Sequence, residues 1–235
     1  MVAMSSAPQP DPVAMPFDFA ARKLNLLAEL RHAGITDDRV LEALARVPRE
    51  RFVPDTFQDR AYENVPLPIG RDQTISQPYI VALMTQALQL DERHCILEIG
   101  TGSGYQAAVL AKLCRRVFTL ERHRMLLHDA QRRFAALRLH NITTRFGDGT
   151  KGWPEAAPFD RIIVTAAAPE VPLRLVEQLR EGGIMLVPVG PERREQTLIR
   201  LHRTGDGHRM ERLGTVRFVP LVRGLPRDSA AKHRQ

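Results

Sequence analysis

Ile96-Leu97-Glu98-Ile99-Gly100-Thr101-Gly102-Ser103-Gly104-Tyr105 is the stretch on which the reading of this chain turns. An apolar run carries an acid, a glycine-rich turn follows, and a helical pattern continues over 103–113. The spacing predicts a buried strand, a tight loop and a helix start. Such a unit presents backbone N–H groups at a helix N-terminus and lets a ligand approach bare main chain. The dinucleotide fingerprint G-x-G-x-x-G does not fit. Its third glycine would fall at Tyr105, whereas the glycine stands one residue earlier, at Gly104. A Walker loop does not fit either, because no Gly-Lys-Ser/Thr follows.

Outward from this unit the chain alternates strands and helices, which predicts an α/β fold: a doubly wound, mostly parallel sheet with helices on both faces. Strands are expected over 95–99, 116–120, 143–146, 161–164 and 183–188, and helices over 103–113, 122–137 and 171–179. Segments 196–203 and 210–218 read as an antiparallel hairpin around Gly205-Asp206-Gly207. Upstream, 17–90 reads as a helical cap and substrate-side segment on a core of 91–225, the whole being one domain. A first helix from Phe17 carries Leu24, Leu27 and Leu30 and ends at Gly34. Thr36-Asp37-Asp38 signals the N-cap of a second, with Val40, Leu41, Leu44 and Val47 inward. Pro54, Pro66 and Pro68 then argue for ordered irregular chain. Ser76, with Pro78 after it, reads as the N-cap of a third helix. Residues 1–16 read as a disordered tail and 226–235 as a polar one.

At 235 residues the chain can bury a full core, and 43% hydrophobic with 26% charged residues is a globular balance. The net charge of +7, most of it Arg, would permit nucleic acid or acidic partners. The arginines are scattered, however, runs such as Arg193-Arg194 are short, and aromatics do not interleave with them. A solvated basic surface is the better reading, and no nucleic-acid partner is expected. Cys95 and Cys114 have no metal or redox spacing and read as buried, reduced packing residues. There is no signal-peptide pattern and no apolar run of membrane-spanning length, so a cytoplasmic protein without a membrane partner is expected.

In a doubly wound sheet, ligands bind beyond the carboxyl ends of the strands. Three acids mark successive strand ends: Glu98, Glu121 and Asp148. Glu121 follows the glycine loop at the distance of an acid that grips ribose hydroxyls. Asp148, in Gly147-Asp148-Gly149, is placed to accept from an adenine amine. Glu98, buried early in its unit, is expected to orient the loop. Each alone would pass as a strand-end surface residue or turn former. Three at consecutive strand ends favour a nucleoside ligand.

The strand and loop resemble the first motif of S-adenosylmethionine-dependent methyltransferases, acid-x-Gly-x-Gly-x-Gly. Methyltransferases of nucleic-acid amines usually carry Asn/Asp-Pro-Pro-aromatic after the fourth strand. Here Thr165-Ala166-Ala167-Ala168 stands instead, which weighs against base methylation. Over roughly 47–190 the chain resembles the protein-L-isoaspartate O-methyltransferase family. Carrying the resemblance are Val47-Pro48-Arg49-Glu50-Arg51-Phe52-Val53-Pro54, Tyr62-Glu63-Asn64, Pro66-Leu67-Pro68-Ile69-Gly70, Thr74-Ile75-Ser76-Gln77-Pro78, the glycine loop, Gly147-Asp148-Gly149 and Phe159-Asp160-Arg161-Ile162-Ile163-Val164-Thr165-Ala166-Ala167. The Thr-Ile-Ser-x-Pro element is specific to that family.

The resemblance implies a monomeric repair enzyme that uses S-adenosyl-L-methionine to methylate the free α-carboxylate of isoaspartyl residues in proteins and peptides. It implies Ser76 as the active-site serine, orienting the acceptor rather than attacking. Glu98, Gly100, Thr101, Gly102, Gly104, Glu121, Asp148 and Gly149 would hold the cofactor, with Glu98 facing its cationic methionine end. Thr74, Ile75, Ser76, Thr165, Ala166, Leu221 and Val222 would line the substrate side, with Pro220-Leu221-Val222 resembling the segment that closes over it. Some members place a histidine where Val81 stands, so no role passes to Val81. No metal is implied. Two other readings remain: a methyltransferase of RNA or a small molecule, and a silent cofactor-binding partner protein. The basic charge favours the first, and the intact loop and acids oppose the second.

Overall fold

A computed structural model of the chain describes residues 18–192 and 194–226. The tails expected at 1–16 and 226–235 lie outside the described residues, apart from Pro226. Helix α1 (Phe19–His32) opens on Asp18, whose carboxylate accepts from the Ala21 N–H, and ends with Arg31 and His32 in its last turn. That places opposite charges at the two poles of the helix dipole. Helix α2 (Asp38–Arg46) is capped by Asp37 through the Arg39 N–H and buries Val40, Leu41 and Leu44. A 3-10 turn at Arg49–Phe52 follows. Strands β1 (Leu67–Gly70) and β2 (Gln73–Ile75) then form a small antiparallel hairpin, where irregular chain was expected. Its turn rests on Arg71 and Asp72, both at φ 56°, a left-handed conformation that sequence patterning does not announce.

Helix α3 (Pro78–Ala87) begins one residue later than Ser76 as its cap would require. Gln77 holds the N-cap position, and no side chain caps the helix. With Pro78 at N1, the first orphan N–H is already missing.

From Cys95 onward the chain builds a seven-stranded sheet: β3 (Cys95–Ile99), β4 (Arg116–Glu121), β5 (Ile142–Phe146), β6 (Phe159–Val164), β7 (Leu179–Val189), β8 (Gln196–Thr204) and β9 (Gly207–Val216). The order is β5-β4-β3-β6-β7-β8-β9. The first five are parallel, and β8 and β9 add on antiparallel. Between them lie α4 (Tyr105–Leu110), α5 (Arg124–Ala136) and α6 (Leu173–Val176). The expected helix over 171–179 shrinks to the single turn of α6, because Pro169 and Pro172 precede it and β7 takes the chain from Leu179.

Strand alternation divides the core. Ile96, Val117, Ile163 and Ile184 pack with the helices α1–α4, while Leu97, Leu120, Ile162 and Met185 pack with Leu175 and Val176 on the other face. The order reverses at β3, which has β4 on one side and β6 on the other. That switch point opens a crevice at the carboxyl ends of the three strands. Cys114 is buried, and burial pushes its thiol up to about 12. Cys95 is only half-buried, contrary to expectation, because it stands at the first position of β3, where Arg115 reaches its sulfur.

Candidate active site

The crevice is lined by every part the switch point brings together: the β3 loop, the β4 end, Thr165 and Ala166 after β6, and Thr74–Ser76 before α3. The crevice is open to solvent, and with its mouth included it spans about 920 Å³. The loop is fixed by main chain. The N–H groups of Gly100 and Thr101 donate to the Leu120 carbonyl at 2.8 and 3.1 Å, and that of Gly104 to the Thr101 carbonyl at 2.8 Å. Gly100 has φ 101°, and a Cβ there would stand 2.4 Å from Thr165 Oγ1. Thr165 Oγ1 is within 2.9 and 2.7 Å of the Ile99 and Gly100 carbonyls. The glycine therefore allows the β3 and β6 loops to close on each other. Gly104, at φ 90°, is the N-cap of α4 and has Phe134 where its Cβ would be; it supports the loop without reaching the crevice.

Glu121 is where the spacing put it. Its Oε2 accepts from the Gly102 N–H at 2.8 Å and its Oε1 from the His123 N–H at 2.9 Å. Each oxygen keeps a lone pair for a diol at the crevice wall. Gly149 lines the same wall, and a Cβ there would stand 2.5 Å from Ile99 Cγ2.

Two of the three strand-end acids depart from expectation. Glu98 does not face the ligand space. It shares the face of Ile96, is 0% exposed, and accepts from Thr119 Oγ1 at 2.5 Å, which in turn meets Thr101 Oγ1 at 2.6 Å. Burial, with the charge of Glu121 added and the Thr119 hydrogen bond opposing, pushes its carboxyl up to about 8. A carboxyl that is neutral at pH 7 braces the loop and offers no negative charge to a cation. Asp148 lies outside the walls of the first crevice. Its Oδ1 caps Thr150 and its Oδ2 accepts from the Gly224 N–H at 2.8 Å. Burial raises its pKa, but those hydrogen bonds outweigh burial and hold it below the ordinary value. It lines a neighbouring cavity that shares Leu120 with the crevice.

A second cleft abuts the first, and the two share Thr74, Ser76, Thr165 and Val219 in their walls. Ser76 is half-buried between them, and among the described residues no hydrogen bond engages its hydroxyl. The far wall is the segment after β9. Ala167 and the chain at 219–221 exchange two main-chain hydrogen bonds, from Ala167 to Val219 at 2.8 Å and from Leu221 to Ala167 at 2.7 Å. This brings Leu221 and Val222 into the first cleft. Sequence reasoning missed Gln106, Ser103, Arg122 and His123 in the lining. Gln106 is the second residue of α4, and its Nε2 donates to Thr85 Oγ1 at 2.9 Å. Its place on the α4 face toward α3 could have been read from the helical period.

A family model of protein-L-isoaspartate(D-aspartate) O-methyltransferase matches residues 21–225. The chain belongs to the protein-L-isoaspartate O-methyltransferase family. A relative of that name from Parvibaculum lavamentivorans is 60% identical over 209 residues, covering 88% of this chain and 94% of its own. Among solved structures, a protein-L-isoaspartate O-methyltransferase superposes with a TM-score of 0.78 at 30% identity, spanning 84% of this chain and 65% of that one. A Plasmodium falciparum chain described as a member of the same family, in complex with S-adenosyl-L-homocysteine, gives 0.74 at 27% identity, spanning 86% and 99%. The doubly wound fold expected of this family is thus the fold observed. No helix among the described residues is long and apolar enough to cross a membrane.

Proposed function

We propose that this protein transfers the methyl group of S-adenosyl-L-methionine to the free α-carboxylate of L-isoaspartyl residues in damaged proteins and peptides. The carrying observation is the pair of clefts that meet at Thr74, Ser76, Thr165 and Val219, which gives two reactants a common boundary. The first cleft fits the cofactor. Glu121 offers a carboxylate for the ribose, Gly100 and Gly149 leave main chain bare, and Leu120, Ile99 and Leu221 supply apolar wall. Bound there, the cofactor supplies an electrophilic methyl group on a sulfonium with a neutral leaving group.

The residues of this chain have a small set of tasks. The acceptor carboxylate is ionised near neutral pH, so no general base is needed. The Ser76 hydroxyl donates to one carboxylate oxygen and aims the other into the first cleft. Thr74, Thr165 and Val219 flank the passage, and the Val219–Val222 segment keeps water from it. Holding two reactants in line removes an entropic barrier worth several orders of magnitude. Excluding water favours a reaction in which opposite charges cancel. The methyl ester then closes to a succinimide without further help from the protein. The same reading makes the enzyme a cytoplasmic monomer acting on protein rather than nucleic acid, in keeping with its two free thiols.

Methyl transfer from labelled S-adenosyl-L-methionine tests this, with an isoaspartyl peptide beside its aspartyl twin. Base-labile label on the isoaspartyl peptide alone is the expected result. Label on neither, with the cofactor bound, would defeat the proposal.

A further inference from the structure

Arg49 lies in the 3-10 turn between α2 and the β1–β2 hairpin and is 0% exposed. Its Nε donates to the Ala61 carbonyl and its Nη2 to the Ser76 carbonyl, each at 2.8 Å, and its Nη1 has no acceptor. The guanidinium lies over the ring of Tyr105, 4.7 Å from its centroid. Tyr105 is the first residue of α4, directly after the glycine loop. The adjacent Glu50 is engaged instead by the Tyr62 hydroxyl at 2.5 Å. Among the described residues, no carboxylate forms an ion pair with Arg49. Burial pulls its pKa down, against the neighbouring Tyr105 and Tyr62.

A cation buried without a counter-ion is expensive to hold, and apolar side chains of similar volume often replace buried charges at no loss of stability. An apolar side chain cannot, however, send directed N–H bonds to two separate segments while covering a third. We propose that Arg49 is a positioning residue for methyl transfer. It grips the Ser76 peptide from behind and packs on Tyr105, which fixes the Ser76 hydroxyl relative to the glycine loop. The proposal rests on the role given to Ser76 above.

A double-mutant cycle on the full chain decides it. Arg49→Met, Ser76→Ala and the double variant are compared for kcat and KM on an isoaspartyl peptide, for S-adenosyl-L-homocysteine binding, and for thermal stability. A hydroxyl displaced by a fraction of an ångström predicts kcat lower by about 10- to 100-fold in Arg49→Met, with S-adenosyl-L-homocysteine binding retained. The double variant should be no slower than Ser76→Ala alone, because one function cannot be lost twice. Wild-type kcat in folded Arg49→Met, or losses that multiply, would overturn the proposal. Wild-type kcat in Ser76→Ala would instead remove the role of Ser76 itself and the proposal with it, so the two failures look different. Should Arg49→Met not fold, Arg49→Lys serves in the same cycle. It keeps the charge but cannot span both carbonyls, and it should lose kcat through Ser76 in the same non-multiplying way.

Discussion

Around the glycine loop the polar groups are bound from below, by the Leu120 carbonyl, by Glu121 and by the chain of Thr101, Thr119 and Glu98. At 74–76 the hydroxyls that face the clefts engage nothing, and order comes through the main chain, from the β1–β2 ladder and from the Arg49 bond to the Ser76 carbonyl. At the loop the Gly100, Thr101, Gly102 and Gly104 N–H groups are paired before any ligand arrives, and the one orphan of that network, Glu98 Oε1, is buried away from the cleft. The other region is held rigid at its back and left unsatisfied at its front. An unsatisfied donor at a boundary between two clefts gains most when an anion is presented to it, and that suits an acceptor site.

Three substitutions would break or sharpen this contrast. Ser76→Ala should have the largest effect, lowering kcat by about 100-fold, the scale of one oriented donor at a developing reaction centre. Binding of S-adenosyl-L-homocysteine, measured by calorimetry, should stay as it is. Equal losses in both would erase the distinction between the regions. Glu121→Gln should do the reverse. Its cofactor dissociation constant should rise about 10-fold or more, since hydrogen bonds to a charged group contribute about 1.5–3 kcal/mol. Its kcat at saturating cofactor should remain near wild type.

Glu98→Gln should be the mildest, and its signature is in pH. The folded carboxyl titrates at about 8 against an ordinary 4.5, so between those values the native state keeps a proton that the unfolded chain releases. Stability then falls as pH rises through that window, with a slope of at most about 1.4 kcal/mol per pH unit. Glutamine, which does not titrate, should flatten it. Urea unfolding from pH 5 to 8 measures the slope. An unchanged slope would mean that Glu98 is ionised and that the loop is braced by charge.

What the sequence disclosed was local or periodic. The β3–loop–α4 unit, the Asp37 cap, the turn at Gly205-Asp206 and the position of Glu121 follow from patterns within one or two elements. Glu98 was legible in kind but not in direction. Its parity with Ile96 puts it under the cap helices, and only the packed fold shows that this face is covered. Asp148 was misdirected because its partner, the Gly224 N–H, lies 76 positions away. The helix expected over 171–179 failed where two prolines and a strand competed for the same residues. At Ser76 the family resemblance supplied what spacing could not. Spacing favoured a helix cap, and the structure leaves the hydroxyl free.

The segment at 219–222 comes after every strand of the sheet, yet it walls the first cleft opposite the glycine loop. In chain order Ser76, the loop and Glu121 all precede this wall. The cofactor side of the crevice and its far wall are thus encoded far apart, and the two meet through the main-chain bonds of Ala167 and the Gly224 bond to Asp148.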